Sequence, residues 1–309
     1  MKLGLVSSIL DQSDYQEVIN ILAEQGLECV ELACWPNEQA TRRYSGVSHL
    51  DVDGLTSKKA QDVLDYAAKK GVEISALAYY PNFLESNLKK RSKCAIHFLK
   101  VIDASALLGI NLVTTFIGRD QYKTVDENLD LMEGIWTPIL RHAENKGVKI
   151  AIENCPMLFT KDEWPAGQNI MTTPAIWRKV FERFPSPNLG LNYDPSHFVW
   201  QQIDYIKPLY EFKDRIFHVH YKDIKVFPEK LADSGVMAYP LEFMSPKLPG
   251  LGDVDWAAYV KALKDIGYSG YTCIEIEDKD FEANYEEIQK SIELSVQYLR
   301  QLVPQSIAS

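Results

Sequence analysis

The chain has 309 residues, 46% of them hydrophobic and 25% charged, with a formal net charge of −10. That length suits one large domain or two ordinary ones, with apolar material for a sizeable core and no tract biased enough to stay disordered. The acidic balance disfavours nucleic acid as a partner, no basic stripe offsets it, and no apolar run of about 18 residues is available to span a membrane.

In chain order, short β-branched runs alternate with longer amphipathic stretches. Strands are predicted over 3–7, 29–33, 73–78, 112–116, 149–153, 189–193, 216–221 and 271–276. Most are too short for a helix and are flanked by Gly, Pro or Asn residues. Several are apolar at nearly every position, as parallel strands covered on both faces should be. Helices are predicted over 14–25, 56–70, 92–108, 125–146 and 256–266. Each stops at a glycine: Gly26, Gly71, Gly109, Gly147 and Gly267. Helix, glycine, then a short apolar strand is the pattern of an αβ turn.

The turn after the first strand reads Ser7-Ser8-Ile9-Leu10, and neither GxGxxG nor GxxxxGKS occurs, which argues against an open nucleotide-binding sheet. With no internal linker or repeat, the economical reading is one α/β domain, a (β/α)8 TIM barrel over residues 1–309. Two insertions, near 34–54 and 223–254, follow strands and so belong to the face where barrel active sites are built. Five scattered cysteines without a CxxC pair suit reduced thiols, and the start Met-Lys-Leu-Gly-Leu-Val lacks the apolar segment of a signal peptide. Cytoplasm is the expected compartment.

The C-terminal ends of barrel strands converge on a common mouth. The fifth strand ends in Glu153-Asn154 and the sixth in Asp194-Pro195-Ser196-His197. The seventh ends in His218-Val219-His220-Tyr221-Lys222-Asp223, the eighth in Glu275-Ile276-Glu277-Asp278. Taken singly, a carboxylate at a strand end more often caps a turn or pairs on the surface. Glu153 and Glu275 interrupt apolar strands, however, and burying either unpaired is expensive. Crowded carboxylates repel unless a cation joins them. Oxygen donors with one imidazole suit Mn²⁺ best, and Mg²⁺, Co²⁺ or Zn²⁺ are compatible. His218 and His220 share one strand face, so one is read as ligand and the other as a hydrogen-bonded neighbour beside the substrate.

These fragments, with Pro249-Gly250-Leu251-Gly252-Asp253-Val254-Asp255-Trp256 and Gly267-Tyr268-Ser269-Gly270-Tyr271, resemble the xylose-isomerase-like superfamily of (β/α)8 barrels over essentially the whole chain. The resemblance implies Glu153, Asp194, His220 and Glu275 as metal ligands, with the two glutamates doubling as acid and base. It implies His197 as a contact to a substrate oxygen. Ketohexose epimerases of that group carry an acid six positions after the fifth-strand Glu and an Arg six after the metal His. Here those positions hold Phe159 and Val226. Lys222-Asp223 and the loop beyond look more like the branch with inosose dehydratases and enzymes of 3-keto-glycosides.

A metal that polarises a carbonyl acidifies the neighbouring C–H, and carboxylates then move the proton. The expected enzyme is therefore an isomerase or epimerase of a keto-sugar or keto-glycoside working through an enediolate. A dehydratase or lyase sharing that intermediate is the alternative; a non-catalytic sugar-binding protein or an abasic-site endonuclease fits less well. Lys222 either donates to the oxyanion or pairs with Asp223. Trp35, Tyr79, Tyr80, Asn82, Arg119 and Trp164 follow strands two to five and are candidate walls of a sugar pocket, though mouth packing or a homo-oligomer contact would also use the aromatics. Arg119 either binds an anionic group or pairs with Asp120.

Overall fold

The computed structural model describes residues 1–36, 45–158 and 167–305. Among these, eight parallel strands close into a barrel: β1 (Lys2–Val6), β2 (Cys29–Ala33), β3 (Glu73–Ala78), β4 (Leu112–Thr115), β5 (Lys149–Glu153), β6 (Leu189–Tyr193), β7 (Ile216–Tyr221) and β10 (Tyr271–Ile274). Their order around the barrel follows the chain, and β10 closes onto β1 with Lys2 opposite Tyr271 and Leu5 opposite Ile274. The expected (β/α)8 barrel is thus the fold, and the strand boundaries agree with the sequence reading to within two residues.

Outside the barrel lie α1 (Tyr15–Glu24), α2 (Ser57–Lys69), α3 (Leu88–Leu107), α4 (Val125–Lys146), α5 (Pro174–Arg183), α9 (Trp256–Asp265) and α10 (Tyr285–Leu299). Their starts are set by side chains that satisfy orphan N–H groups. Asp14 with Glu17 and Thr124 with Glu127 form reciprocal capping boxes. Helix α3 begins four residues before its predicted start because Asn87 accepts from the N–H groups of Lys89 and Lys90. Leu88 lies 69% exposed, so apolar periodicity carries no trace of that first turn. At the other end of α4, Gly147 adopts φ 69°, the left-handed conformation a non-glycine residue resists.

Between the barrel and its helices, Trp136, Trp177 and Trp256 are fully buried, and each indole N–H still finds an acceptor. These are Ile117 O at 3.2 Å, Met171 O at 2.8 Å and Asp223 Oδ2 at 2.8 Å. Burying such rings without losing the hydrogen bond keeps the apolar gain free of a polar penalty.

Beyond β7 the chain forms a hairpin, β8 (Asp223–Val226) with β9 (Met244–Lys247), joined through α8 (Pro228–Ser234). Asp223 anchors this insertion. Its carboxylate accepts from the N–H groups of Ile224, Gly250 and Val254 as well as from Trp256. A side chain at Gly252 would come within 2.2 Å of Asp223 Oδ1, so the loop can close only over glycine. Two further short helices, α6 (Ser196–Val199) and α7 (Lys207–Glu211), follow β6. The cysteines are all free, and no described helix is long and apolar enough to cross a membrane.

Candidate metal centre

Side chains alternate along a strand, so His218, His220 and Lys222 of the β7 segment all enter the barrel axis at rising heights. His218 lies deepest. Its Nδ1 is 3.1 Å from Asn192 Oδ1 and its Nε2 3.1 Å from Ser75 Oγ. The next position up, His220, reaches the carboxylates at the mouth, and Lys222 stands among them. The difference in height separates the two histidines: His220 groups with Glu153, Asp194 and Glu275, their donor atoms all within 4.8 Å of one another.

Three of those donors are buried and make no well-aligned hydrogen bond, only ion-pair contacts to neighbouring charged groups: Glu153 Oε1, Asp194 Oδ2 and His220 Nδ1. His220 Nδ1 stands 3.1 Å from Glu275 Oε2 and 3.9 Å from Glu153 Oε1. Buried polar atoms without a well-aligned hydrogen bond are costly in a protein interior, and here they converge on one point. The donor set, three carboxylates and an imidazole nitrogen, fits a divalent cation, which would take the place of the imidazole proton. Asp194 divides its two oxygens. Its Oδ1 accepts the Ser196 N–H at 2.8 Å, while Oδ2 faces the centre.

Local structure fixes each of these side chains. Asn154 ties Asp194 to the end of β5 through two hydrogen bonds of 2.8 Å. Asn169 donates to the carbonyls of Glu153 and Cys155, at 2.8 and 2.7 Å, and so holds the chain where it leaves β5. His197, one helical turn beyond Asp194, points Nε2 to within 3.2 Å of Asp194 Oδ2 and 3.4 Å of Glu153 Oε1.

Lys222 is almost fully buried, with its ammonium 2.9 Å from Glu275, 3.2 Å from Glu277, 3.3 Å from Asp194 and 3.9 Å from Glu153. Burial opposes its charge, but those carboxylates more than compensate and hold its pKa well above the usual lysine value. It does not pair with Asp223, which faces the hairpin. For Glu275, burial also opposes ionisation, yet Lys222 and His220 bring its pKa down to about 2. Glu153 goes the other way, raised by burial and by the charge of Glu275. The two glutamates therefore differ in proton affinity although they share one site.

A buried carboxylate beneath this cluster escaped the sequence reading. Glu31, in the middle of β2, is fully buried, and its Oε2 lies 2.7 Å from His220 Nε2. Its other oxygen accepts from Tyr80 at 2.5 Å and Thr114 at 2.9 Å. Burial would raise the Glu31 pKa, but the charge and hydrogen bond of His220, helped by His218 and Tyr80, bring it below the ordinary value. The signal was present in Cys29-Val30-Glu31-Leu32-Ala33, a glutamate interrupting an apolar strand, but it lies mid-strand rather than at a strand end.

The remaining candidates separate. Trp35, Tyr80, Ala33, Ala78 and Phe116 form the wall of a cavity whose other side is Glu153, His220 and Glu275. Tyr79 instead packs outward against Phe83, His97 and Phe98. Asn82 accepts the N–H of Arg119 and donates to its carbonyl, both at 2.8 Å, which clamps two loops together. Neither Asn82 nor Arg119 lines that cavity, and the Arg119 Nε is buried without a hydrogen-bond partner. His218 does not line it either. Trp164 and Phe159 lie outside the described residues, and Val226 pairs with Met244 in the hairpin.

Comparison with known proteins bears on the fold and the family. YfiH of Bacillus subtilis is 24% identical over 339 residues, covering 99% of this chain and all of that protein. An inosose dehydratase of Clostridium perfringens is 26% identical over 174 residues, 54% of this chain and 51% of that enzyme, so the chain spans about half its length. Among solved structures, IolI with a bound zinc atom superposes with a TM-score of 0.72 at 19% identity over 98% of both chains. The 3-keto-D-glucoside 4-epimerase YcjR of E. coli gives 0.68 at 15%, over 97% of this chain and 99% of that one. At these identities the structural likeness establishes the fold alone, while the relatives named for an activity are enzymes. The family model described as xylose isomerase-like TIM barrel matches residues 19–302. With that match spanning most of its length, and with a closed eight-stranded barrel, the chain belongs to the xylose isomerase-like TIM-barrel family.

Proposed function

We propose that this protein is a divalent-metal-dependent isomerase or epimerase of a keto-sugar or keto-glycoside, working through an enediolate. The observation that supports this most is the convergence of Glu153 Oε1, Asp194 Oδ2 and His220 Nδ1, buried and without a well-aligned hydrogen bond, beside Glu275. Glu153, Asp194, His220 and Glu275 would hold the ion, with Mn²⁺ preferred by an oxygen-rich donor set and zinc compatible through the IolI likeness. When bound, the ion supplies Lewis acidity toward a carbonyl oxygen and so acidifies the adjacent C–H.

The chain's own residues do the rest. One of Glu153 and Glu275 removes the proton from the carbon beside the carbonyl, and the other returns it. Return to the opposite face epimerises; return to the neighbouring carbon isomerises. His197 orients a substrate oxygen beside Asp194, and Lys222 sets an ammonium against the charge that develops there. The Trp35, Tyr80 and Phe116 wall gives the C–H face of a sugar ring an apolar surface and keeps water from the reacting carbon.

A dehydratase or lyase is the second reading, favoured by the local similarity to inosose dehydratases. There the same proton abstraction is followed by loss of a β-hydroxyl or glycosidic oxygen, with Lys222 or His197 as its proton source. On either reading the partner is a small sugar rather than nucleic acid or membrane, in a cytoplasmic enzyme that is monomeric or a homo-oligomer.

Incubation of the Mn²⁺-loaded protein with keto-sugars and keto-glycosides in D₂O tests the shared step. Deuterium should appear on the carbon α to the carbonyl, and product analysis then separates epimer, isomer and dehydrated sugar. Absence of exchange across the panel, with metal shown to be bound, would overturn the enediolate.

A further inference from the structure

Beneath the ligands the barrel axis is filled by polar side chains that touch neither cavity nor solvent. Glu31, Thr114, Asn192 and His218 are all buried, and the hydrogen bonds among them are organised around Glu31 and Asn192. A barrel interior is ordinarily packed with branched apolar residues, and a buried carboxylate there is costly unless it has a task. Glu31, His218 and His220 are themselves close enough to suggest a second metal site. Their atoms are hydrogen-bonded instead: His220 Nε2 to Glu31, and His218 to Asn192 and Ser75. The ring nitrogen without a well-aligned hydrogen bond is His220 Nδ1, on the opposite edge, 3.1 Å from Glu275 Oε2.

We infer that Glu31 is a positioning residue for the metal centre: its carboxylate holds the proton of His220 on Nε2 and turns Nδ1, with its lone pair, toward Glu153 and Glu275. The inference rests on the reading of Glu153, Asp194, His220 and Glu275 as a divalent-ion site.

Three observations carry it. Two groups approach His220 Nε2, Glu31 Oε2 at 2.7 Å and the Asn192 amide nitrogen at 2.9 Å. The shorter contact is to an ionised carboxylate, which has no proton to give, so Nε2 donates to Glu31 and the Asn192 amide is left to donate to Tyr80. The two oxygens of Glu31 are directed by separate partners, with Tyr80 and Thr114 on Oε1 leaving Oε2 for the imidazole. Finally, the β2–β3 register shifts between Val30 and Glu31, and the β6–β7 register between Leu191 and Asn192. Such irregularities re-aim a side chain, and both fall where the chain supplies this network. Carboxylate support of a ligating histidine is a general device for fixing ring orientation and tautomer.

The test is Mn²⁺ affinity by calorimetry for the wild-type protein and for Glu31→Gln, with the melting temperature of each metal-free protein as the check on folding. Gln fills the same volume and removes the charge. Wild type should bind about one ion, and Glu31→Gln should bind about 10–100-fold more weakly. A wild type that binds no ion overturns the metal-site reading itself. A wild type that binds, with a folded Glu31→Gln of equal affinity, overturns the role of Glu31 alone. Should Glu31→Gln fail to fold, ¹⁵N-histidine NMR of the Zn²⁺-loaded wild type decides. The resonance absent in His220→Gln must report a proton on Nε2, and a proton on Nδ1 would refute the inference.

Discussion

Asn154 and Asp194 hold each other across the ends of adjacent strands. The Asn154 amide donates to the Asp194 carbonyl and its oxygen accepts the Asp194 N–H, each at 2.8 Å and fully buried. Asp194 therefore enters the site as part of a rigid joint between β5 and β6. Asn154→Ala should leave both backbone groups unpaired and cost about 3 kcal/mol, since each buried orphan costs about 1–3 kcal/mol. Urea unfolding measures that loss, and Mn²⁺ binding should weaken about tenfold as Asp194 loosens.

Asp223 should tolerate neither alanine nor asparagine. All four of its partners are donors, so an amide NH₂ in place of one oxygen would face N–H groups. Asp223→Asn should destabilise by about 2–4 kcal/mol through unsatisfied donors, nearly as much as Asp223→Ala. Hydrogen exchange should show the loss concentrated in residues 224–254, while the barrel strands stay protected.

Lys222 balances the carboxylates when no other cation does. Lys222→Met should destabilise the metal-free protein by about 3–5 kcal/mol, the cost of leaving buried charges without their partner. Mn²⁺ should recover much of that loss and bind the variant no more weakly than the wild type, because a competing positive charge is gone. Melting curves with and without chelator, together with calorimetry, read both effects.

His49 predicts a pH dependence away from the site. It is buried, with Nδ1 2.8 Å from Ser7 Oγ and Nε2 3.0 Å from Leu10 O, and burial lowers its pKa below the usual 6.5. The unfolded chain therefore takes up the proton first as pH falls. The stability His49 contributes is complete above about pH 6.5 and declines below it, down to the folded-state pKa. Unfolding free energies between pH 5 and 7.5 should show a slope of at most about 1.4 kcal/mol per pH unit that His49→Gln removes.

The strands were legible because each is short, nearly wholly apolar and followed or preceded by turn residues, as in Lys149-Ile150-Ala151-Ile152-Glu153. Four strand ends were equally legible as a group, since barrel topology sends them to one mouth. Residues just past strands two to four were harder. Trp35 and Tyr80 face the cavity while Tyr79, Asn82 and Arg119 do not, because loop direction depends on packing the sequence does not display. Glu31 was hidden by position: a mid-strand residue faces either the barrel axis or the helices, and a register shift beside it unsettles simple alternation.

By itself, then, the sequence determined the alternation of strands and helices and the supply of carboxylates and imidazole at four successive strand ends. Those follow from local periodicity and from the order of elements along the chain. Only the tertiary structure decided that His220 rather than His218 meets the carboxylates, that Lys222 turns to Glu275 and away from Asp223, and that Glu31 reaches across the barrel to His220. Glu31 and His220 are 189 residues apart, and a contact at that separation arises from the closure and register of the barrel, which no local pattern encodes.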